Sequence, residues 1–155
     1  MHQKCWLIIV LWMFFSVTVF AEIRIFGLND FNLGRWTLGS GSLQSNANIC
    51  VAVRPRGPYQ ITAFGGGANN TFQLSNSISQ VPYRVFFNDR AQENGAAELV
   101  AGVALGSLRG VPGGIRQNVC RRPRANISIR IDDTHLQRAT AGQYTGTVLI
   151  IAGPE

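Results

Sequence analysis

Few residues of this chain are equipped for chemistry. Beyond the leader described below, the one histidine is His135, set in IDDTHLQ beside Asp132 and Asp133. With any of the chain's serines these three would write a nucleophilic triad. That chemistry needs a nucleophile on a strained turn and an oxyanion hole, and no G-x-S-x-G elbow occurs. A metal centre needs three or four ligands at workable spacing; Asp132, Asp133 and His135 are too few and too local. His135 reads as a solvent-side turn residue. The eight carboxylates lie outside any aromatic-rich context of the kind that builds a sugar-cleaving cleft. Gly65-Gly66-Gly67 lacks the G-K-[ST] ending of a phosphate loop and reads as a hairpin turn, with glycine supplying positive φ. The expectation is no catalysis, no cofactor and no metal.

The strongest charge feature is Arg121-Arg122-Pro123-Arg124, directly after Cys120. It has two readings: an anion patch that binds phosphate polymers or acidic glycans through counterion release, or a solvated loop broken by proline. Asn69-Asn70-Thr71 and Asn126-Ile127-Ser128 match the glycosylation sequon, the second within a strand-like segment.

The elements that must position these residues begin after a leader. Met1 to Lys4 is a short basic start, Trp6 to Phe20 is almost wholly apolar, and Ala21 supplies a small residue before Glu22. This is the pattern of a cleaved secretory signal peptide over residues 1–21, and the run is short for a bilayer core of about 30 Å. Removing 21 residues from 155 leaves 134, the size of one domain. Lys4 is the only lysine, so that domain, 22–155, sets 13 arginines against 8 acidic residues. Export also argues against nucleic acid as a partner. Its Gly, Ser, Asn, Thr, Val and Ile content excludes a disordered polyampholyte and a helical bundle. Two cysteines remain, Cys50 and Cys120. In an exported chain an even count favours a disulfide, closing about 70 residues with on the order of 4 kcal/mol of stabilisation. The alternative is two free buried thiols.

Strand-like segments recur between Gly, Pro, Asn and Ser clusters: Glu22 to Leu28, Asn48 to Arg54, Tyr59 to Phe64, Thr71 to Leu74, Val81 to Asn88, Ala125 to Ile131 and Tyr144 to Ile151. Ala96 to Leu105 reads as a loop or weak strand, and Thr134 to Ala141 as a turn. Six or seven strands with turn signals between them predict an all-β, immunoglobulin-like antiparallel sandwich.

The order GLNDFNLGRW, ICVAV, YQITAFGGG, TFQLSNS, VPYRVFFND and AGQYTGTVLIIAGPE resembles the spore coat protein U domain family. That family includes subunits of archaic chaperone–usher pili. The resemblance spans nearly the whole domain and is most specific at Val81 to Asn88 and Ala141 to Ile151. It implies an incomplete sandwich lacking one strand, assembly by donor-strand complementation, and as partners a periplasmic chaperone, an outer-membrane usher and other pilus subunits. It implies no enzyme activity, and a route through the periplasm to the cell surface or fimbrium. Tyr144, Val148, Leu149, Ile150 and Ile151 then form the donor-strand or chaperone edge. The unbroken apolar run Val148 to Ile151 predicts a strand buried on both faces. Ile23 and Ile25 are needed by the domain's own first strand, which predicts a chain that accepts a donor strand and sits at the fibre tip. Two rivals are a secreted coat or matrix protein with a complete sandwich that does not polymerise, and a secreted anion- or glycan-binding module. Exported material should have Glu22 at its N-terminus and the mass of residues 22–155 less two hydrogens. Intact-mass spectrometry and a thiol titration check both, and retained residues 1–21 or two free thiols would contradict them.

Overall fold

The computed structural model describes residues 21–110 and 122–155. The apolar leader up to residue 20, Cys120 and Arg121 lie outside them. Among the described residues there are ten strands: β1 (Glu22–Phe26), β2 (Leu43–Arg54), β3 (Pro58–Gly65), β4 (Gln73–Ser75), β5 (Gln80–Pro82), β6 (Arg84–Asn88), β7 (Ala97–Leu99), β8 (Leu105–Arg109), β9 (Ala125–Ile131) and β10 (Val148–Pro154). A 3₁₀ turn at Ala68–Asn70 and a one-turn helix α1 (Asp133–Leu136) complete the list. The chain is all-β.

A five-stranded sheet has the order β1-β2-β9-β6-β7, and a three-stranded sheet has the order β10-β3-β8. Every pairing within them is antiparallel. The pair β4–β5 stands apart. β2 is shared lengthwise: Glu22–Phe26 pair with Arg54–Cys50, whereas Leu43–Ile49 pair with Ile131–Ala125.

Period-two alternation sets the core. Ile49, Val51 and Val53 of β2, Tyr59, Ile61 and Ala63 of β3, Val85 and Phe87 of β6, and Ile127, Ile129 and Ile131 of β9 are all buried in one cluster. Each fully buried side chain of this size contributes about 1.5–3 kcal/mol. The opposite face of the larger sheet carries a row of asparagines in register, with Asn48 and Asn88 flanking Asn126. Asn126 Nδ2 donates to Asn48 Oδ1 at 2.8 Å and to Asn46 Oδ1 at 3.3 Å. At 2% exposure Asn126 is closed to glycosylation, so its sequon has a packing role.

Several sequence expectations shift. The Val81 to Asn88 segment is two strands: Pro82 has no N–H, the Tyr83 N–H turns to the Phe72 carbonyl at 3.0 Å, and β6 starts in a different sheet. The weak segment after Ala96 contains β7 and leads into β8. β8 was hidden because Gly106 and Ser107, with φ of 58°, are poor strand residues; a tertiary contact, Ser107 N–H donating to Glu155 Oε2 at 2.8 Å, holds it. The last strand begins at Val148, four residues later than Tyr144, and runs on to Pro154.

The glycine tract also works differently than expected. None of Gly65, Gly66 and Gly67 has positive φ. A Cβ on Gly65 would instead stand 2.0 Å from the Thr71 carbonyl oxygen. Glycine is required there for close backbone approach. Gly27, by contrast, takes φ of 83° and turns the chain out of β1. Gly65→Ala should therefore destabilise the fold by about 1–3 kcal/mol, the usual cost of overpacking, measured by urea denaturation. A change below about 0.5 kcal/mol, the range of an indifferent surface substitution, would contradict the close approach.

Candidate functional site

β10 is an edge strand. Its main chain pairs with β3 from Val148↔Gly65 to Pro154↔Tyr59. Among the described strands it has no second ladder. Its side chains alternate: Val148 and Ile150 turn toward the core, while Leu149 and Ile151 are 57% and 49% exposed. The expectation of a strand buried on both faces is corrected here. Continuous burial belongs instead to β9 from Ala125 to Ile129 and to Ile49–Val53 of β2, strands inside the five-stranded sheet.

Beside β10 the two sheets part. An open groove of about 1400 Å³ is lined by Val148 and Ile150 on one side and by Ile127, Ile129 and Ile131 of β9 at its floor. Leu74, Val81, Tyr83 and Leu136 close one end. The groove is open to solvent, and its lining mixes these apolar side chains with polar ones, among them Asn32, Thr140 and Gln143. It also exceeds the roughly 300–1,000 Å³ of a small-molecule pocket.

The open flank is bordered by residues 28–38, which run without strand pairing after Gly27 turns the chain away from β1. Phe31, Leu33 and Trp36 lean on the core from this segment. Trp36 anchors it: Nε1 donates to the Gly41 carbonyl at 2.9 Å and to Asp133 Oδ1 at 3.2 Å. Asp133, considered above for catalysis or metal binding, thus positions a wall of the groove. His135 is exposed on α1, and no group of three metal-binding side chains occurs among the described residues.

Tyrosines pin the segment that leads into β10. Tyr83 OH donates to the Thr147 carbonyl at 3.2 Å, and Tyr144 OH donates to the Thr140 carbonyl at 2.9 Å. Thr145 and Ser75 exchange backbone hydrogen bonds at 2.8 and 3.0 Å. Tyr144 therefore braces the approach to β10 and does not belong to the strand itself. Burial pushes the Tyr83 phenol up to about 12. Burial, and secondarily the Asp89 charge, also pushes Tyr59 upward. Hydrogen bonds with Ser79 and Thr140 draw Tyr144 downward.

The residues of the basic run separate. Arg122 is exposed and its carbonyl oxygen lies 3.5 Å from Cys50 Sγ. Arg124 lines a second, basic cleft at the far end of β9. Sequence reasoning missed that cleft's other arginines because they are distant in the chain.

Comparison with solved structures gives a likeness in fold. A chain from a structure described as a chaperone–tip adhesin complex in CFA/I fimbriae biogenesis matches with a TM-score of 0.58 and 14% identity, over 86% of this chain and 42% of that one. The two share a fold. This chain spans less than half the length of the one it matches. No protein-family model matches the chain, and no curated protein matches it. The spore coat protein U resemblance accordingly rests on the motifs quoted for it. No helix among the described residues is long and apolar enough to cross a membrane.

Replacing Tyr83 with Phe keeps the packing and removes one hydrogen bond, so it should cost about 0.5–1.5 kcal/mol. The alkaline behaviour follows from sign: burial favours the neutral phenol, so the folded pKa lies above the unfolded value near 10. The contribution is complete below pH 10 and is lost as pH rises toward about 12. Urea midpoints across that range should fall less steeply in Tyr83→Phe than in the parent. Equal slopes would show that Tyr83 does not drive the alkaline loss.

Proposed function

We propose that this chain is a structural or adhesive subunit of a surface pilus, completed when a neighbour adds a β-strand beside β10. The observation that carries the reading is the open apolar groove next to an edge strand with one main-chain neighbour. An added strand would hydrogen-bond along β10 and place alternate side chains beside the half-buried Val148 and Ile150. An uncovered edge of this kind invites aggregation, which gives a periplasmic chaperone, and then an outer-membrane usher and other subunits, their part as partners. The fold shared with a fimbrial chain supports the same reading at the level of architecture. β1 is already paired with β2, so Ile23 and Ile25 serve this domain and are not spare for a neighbour. An acceptor at the fibre tip follows from that use.

The role is non-enzymatic. Cleavage of residues 1–21 and a Cys50–Cys120 bridge belong to the same reading. The bridge is supported by the Cys50 sulfur being held in a disulfide and lying against Arg122, two residues past Cys120.

One observation favours a second reading, a complete sandwich in a coat or matrix protein. Phe31, Leu33 and Trp36 already reach the core from the groove's open flank. The two readings separate on addition of extended peptides with alternating apolar residues, taken from neighbouring subunits, to the purified chain. A strand that binds only the folded state at 100 times its Kd stabilises it by about 2.7 kcal/mol, a melting shift of several degrees. Val148→Asp should abolish the shift. A chain that melts cooperatively alone and takes no peptide would exclude the acceptor role.

A further inference from the structure

The cleft past the N-terminal end of β9 lies at the opposite end of the sandwich from the groove. Register gathers several connections there: Pro58 pairs with Arg109, Asn88 pairs with Asn126, and Arg54 closes β2. Arg56 from the β2–β3 turn, Arg90 after β6, Arg109 at the end of β8 and Arg124 before β9 line one open cleft of about 460 Å³. Among the described residues Asp89 is the only carboxylate lining it. Gly110 and Ala91 leave its floor without bulk.

What sets these arginines apart is that four of them share one cleft without carboxylate partners of their own. Among the described residues, ion pairs join Arg24 to Glu22, Arg84 to Glu98 and Asp132, and Arg130 to Asp132. Arg56, Arg90, Arg109 and Arg124 appear in none of them and make no side-chain hydrogen bond. Four like charges from four separate segments repel when drawn to one cleft. An anion shared between them removes that repulsion. Guanidinium groups present a planar fork that matches carboxylate and sulfate.

The remaining lining narrows the class of anion. Among the described residues no aromatic side chain borders the cleft, so they supply none of the stacking platforms that hold single-stranded nucleic acid. The cleft is also confined to one end of the sandwich, where it meets a few charges of a chain and does not track a long backbone. We propose that it binds the carboxylate or sulfate groups of an acidic sugar chain, with Arg56 and Arg124 as principal contacts and Arg90 and Arg109 completing the site. This goes beyond strand acceptance and does not depend on it, since the groove and the cleft take up opposite ends of β9.

The test uses the purified full chain against heparin as a sulfated glycan, polygalacturonate as a carboxylated one, dextran as a neutral one and a single-stranded oligonucleotide. Affinities are read at 50 and 200 mM salt, the range over which charge contacts are lost most steeply. Both acidic glycans should bind and dextran should not. The double variant Arg56→Gln/Arg124→Gln should weaken glycan binding at least about tenfold and lower the salt slope by about two. Arg35→Gln/Arg138→Gln, which removes the same charge outside the cleft, should cost less than about twofold by the loss of net field alone. Melting temperatures confirm that each variant folds, and Arg90→Gln replaces the double variant if it does not. Equal losses in the two double variants, absence of glycan binding at 50 mM salt, or tighter binding of the oligonucleotide would each overturn the assignment.

Discussion

A buried backbone amide or carbonyl without a partner costs about as much as a lost hydrogen bond, and β10 meets this requirement on one side. β3 satisfies it from Val148 to Pro154; its other edge faces the region where the groove opens. Several features follow from that asymmetry. Val148 and Ile150 are drawn inward, Leu149 and Ile151 remain in solvent, and the groove opens between β10 and the buried isoleucines of β9. Two tyrosine hydroxyls and the Ser75–Thr145 bridge fix the chain just before β10. The edge is therefore held in place without being covered.

The larger sheet supplies the rigid side of this arrangement. Its inner face is aliphatic and its outer face carries the asparagine row centred on Asn126. Burying an amide is least costly when it finds hydrogen-bond partners, and Asn126 Nδ2 finds Asn46 and Asn48 on β2, while its Oδ1 has no partner among the described residues. Such pairing penalises a register slip, because a shift by one residue would send asparagines into the core. β9 is thereby kept in one register, which places Ile127, Ile129 and Ile131 at the groove floor and Arg124 at the basic cleft. One strand sets both sites.

The two sites ask for different partners. An apolar groove beside an open edge fits extended polypeptide, since main-chain hydrogen bonds provide affinity and alternating pockets provide specificity. A cleft of unpaired guanidinium groups fits a charged polymer and is sensitive to salt. Their separation along β9 means that occupation of one need not obstruct the other.

Much of the fold is legible in the residues. The alternation of Tyr59, Ile61 and Ala63, of Val85 and Phe87, and of Ile127, Ile129 and Ile131 names strands and their inward faces, because period two needs no knowledge of neighbours. The scarcity of chemistry around His135 is equally a local fact. Other properties depend on what lies alongside. Val148 to Ile151 reads as doubly buried from composition, yet exposure depends on what covers each face, and among the described residues nothing covers Leu149 and Ile151. β8 has no strand signature of its own and exists because Tyr59 and Glu155 reach it. Gly65 is fixed by a carbonyl six residues away, not by its own φ. The basic run at Arg121 to Arg124 is visible in sequence, but the union of Arg124 with Arg56, Arg90 and Arg109 is not. Those residues meet only after antiparallel register has folded turns from distant parts of the chain onto one end of the sandwich, and register is a property of pairs of strands that no single segment carries.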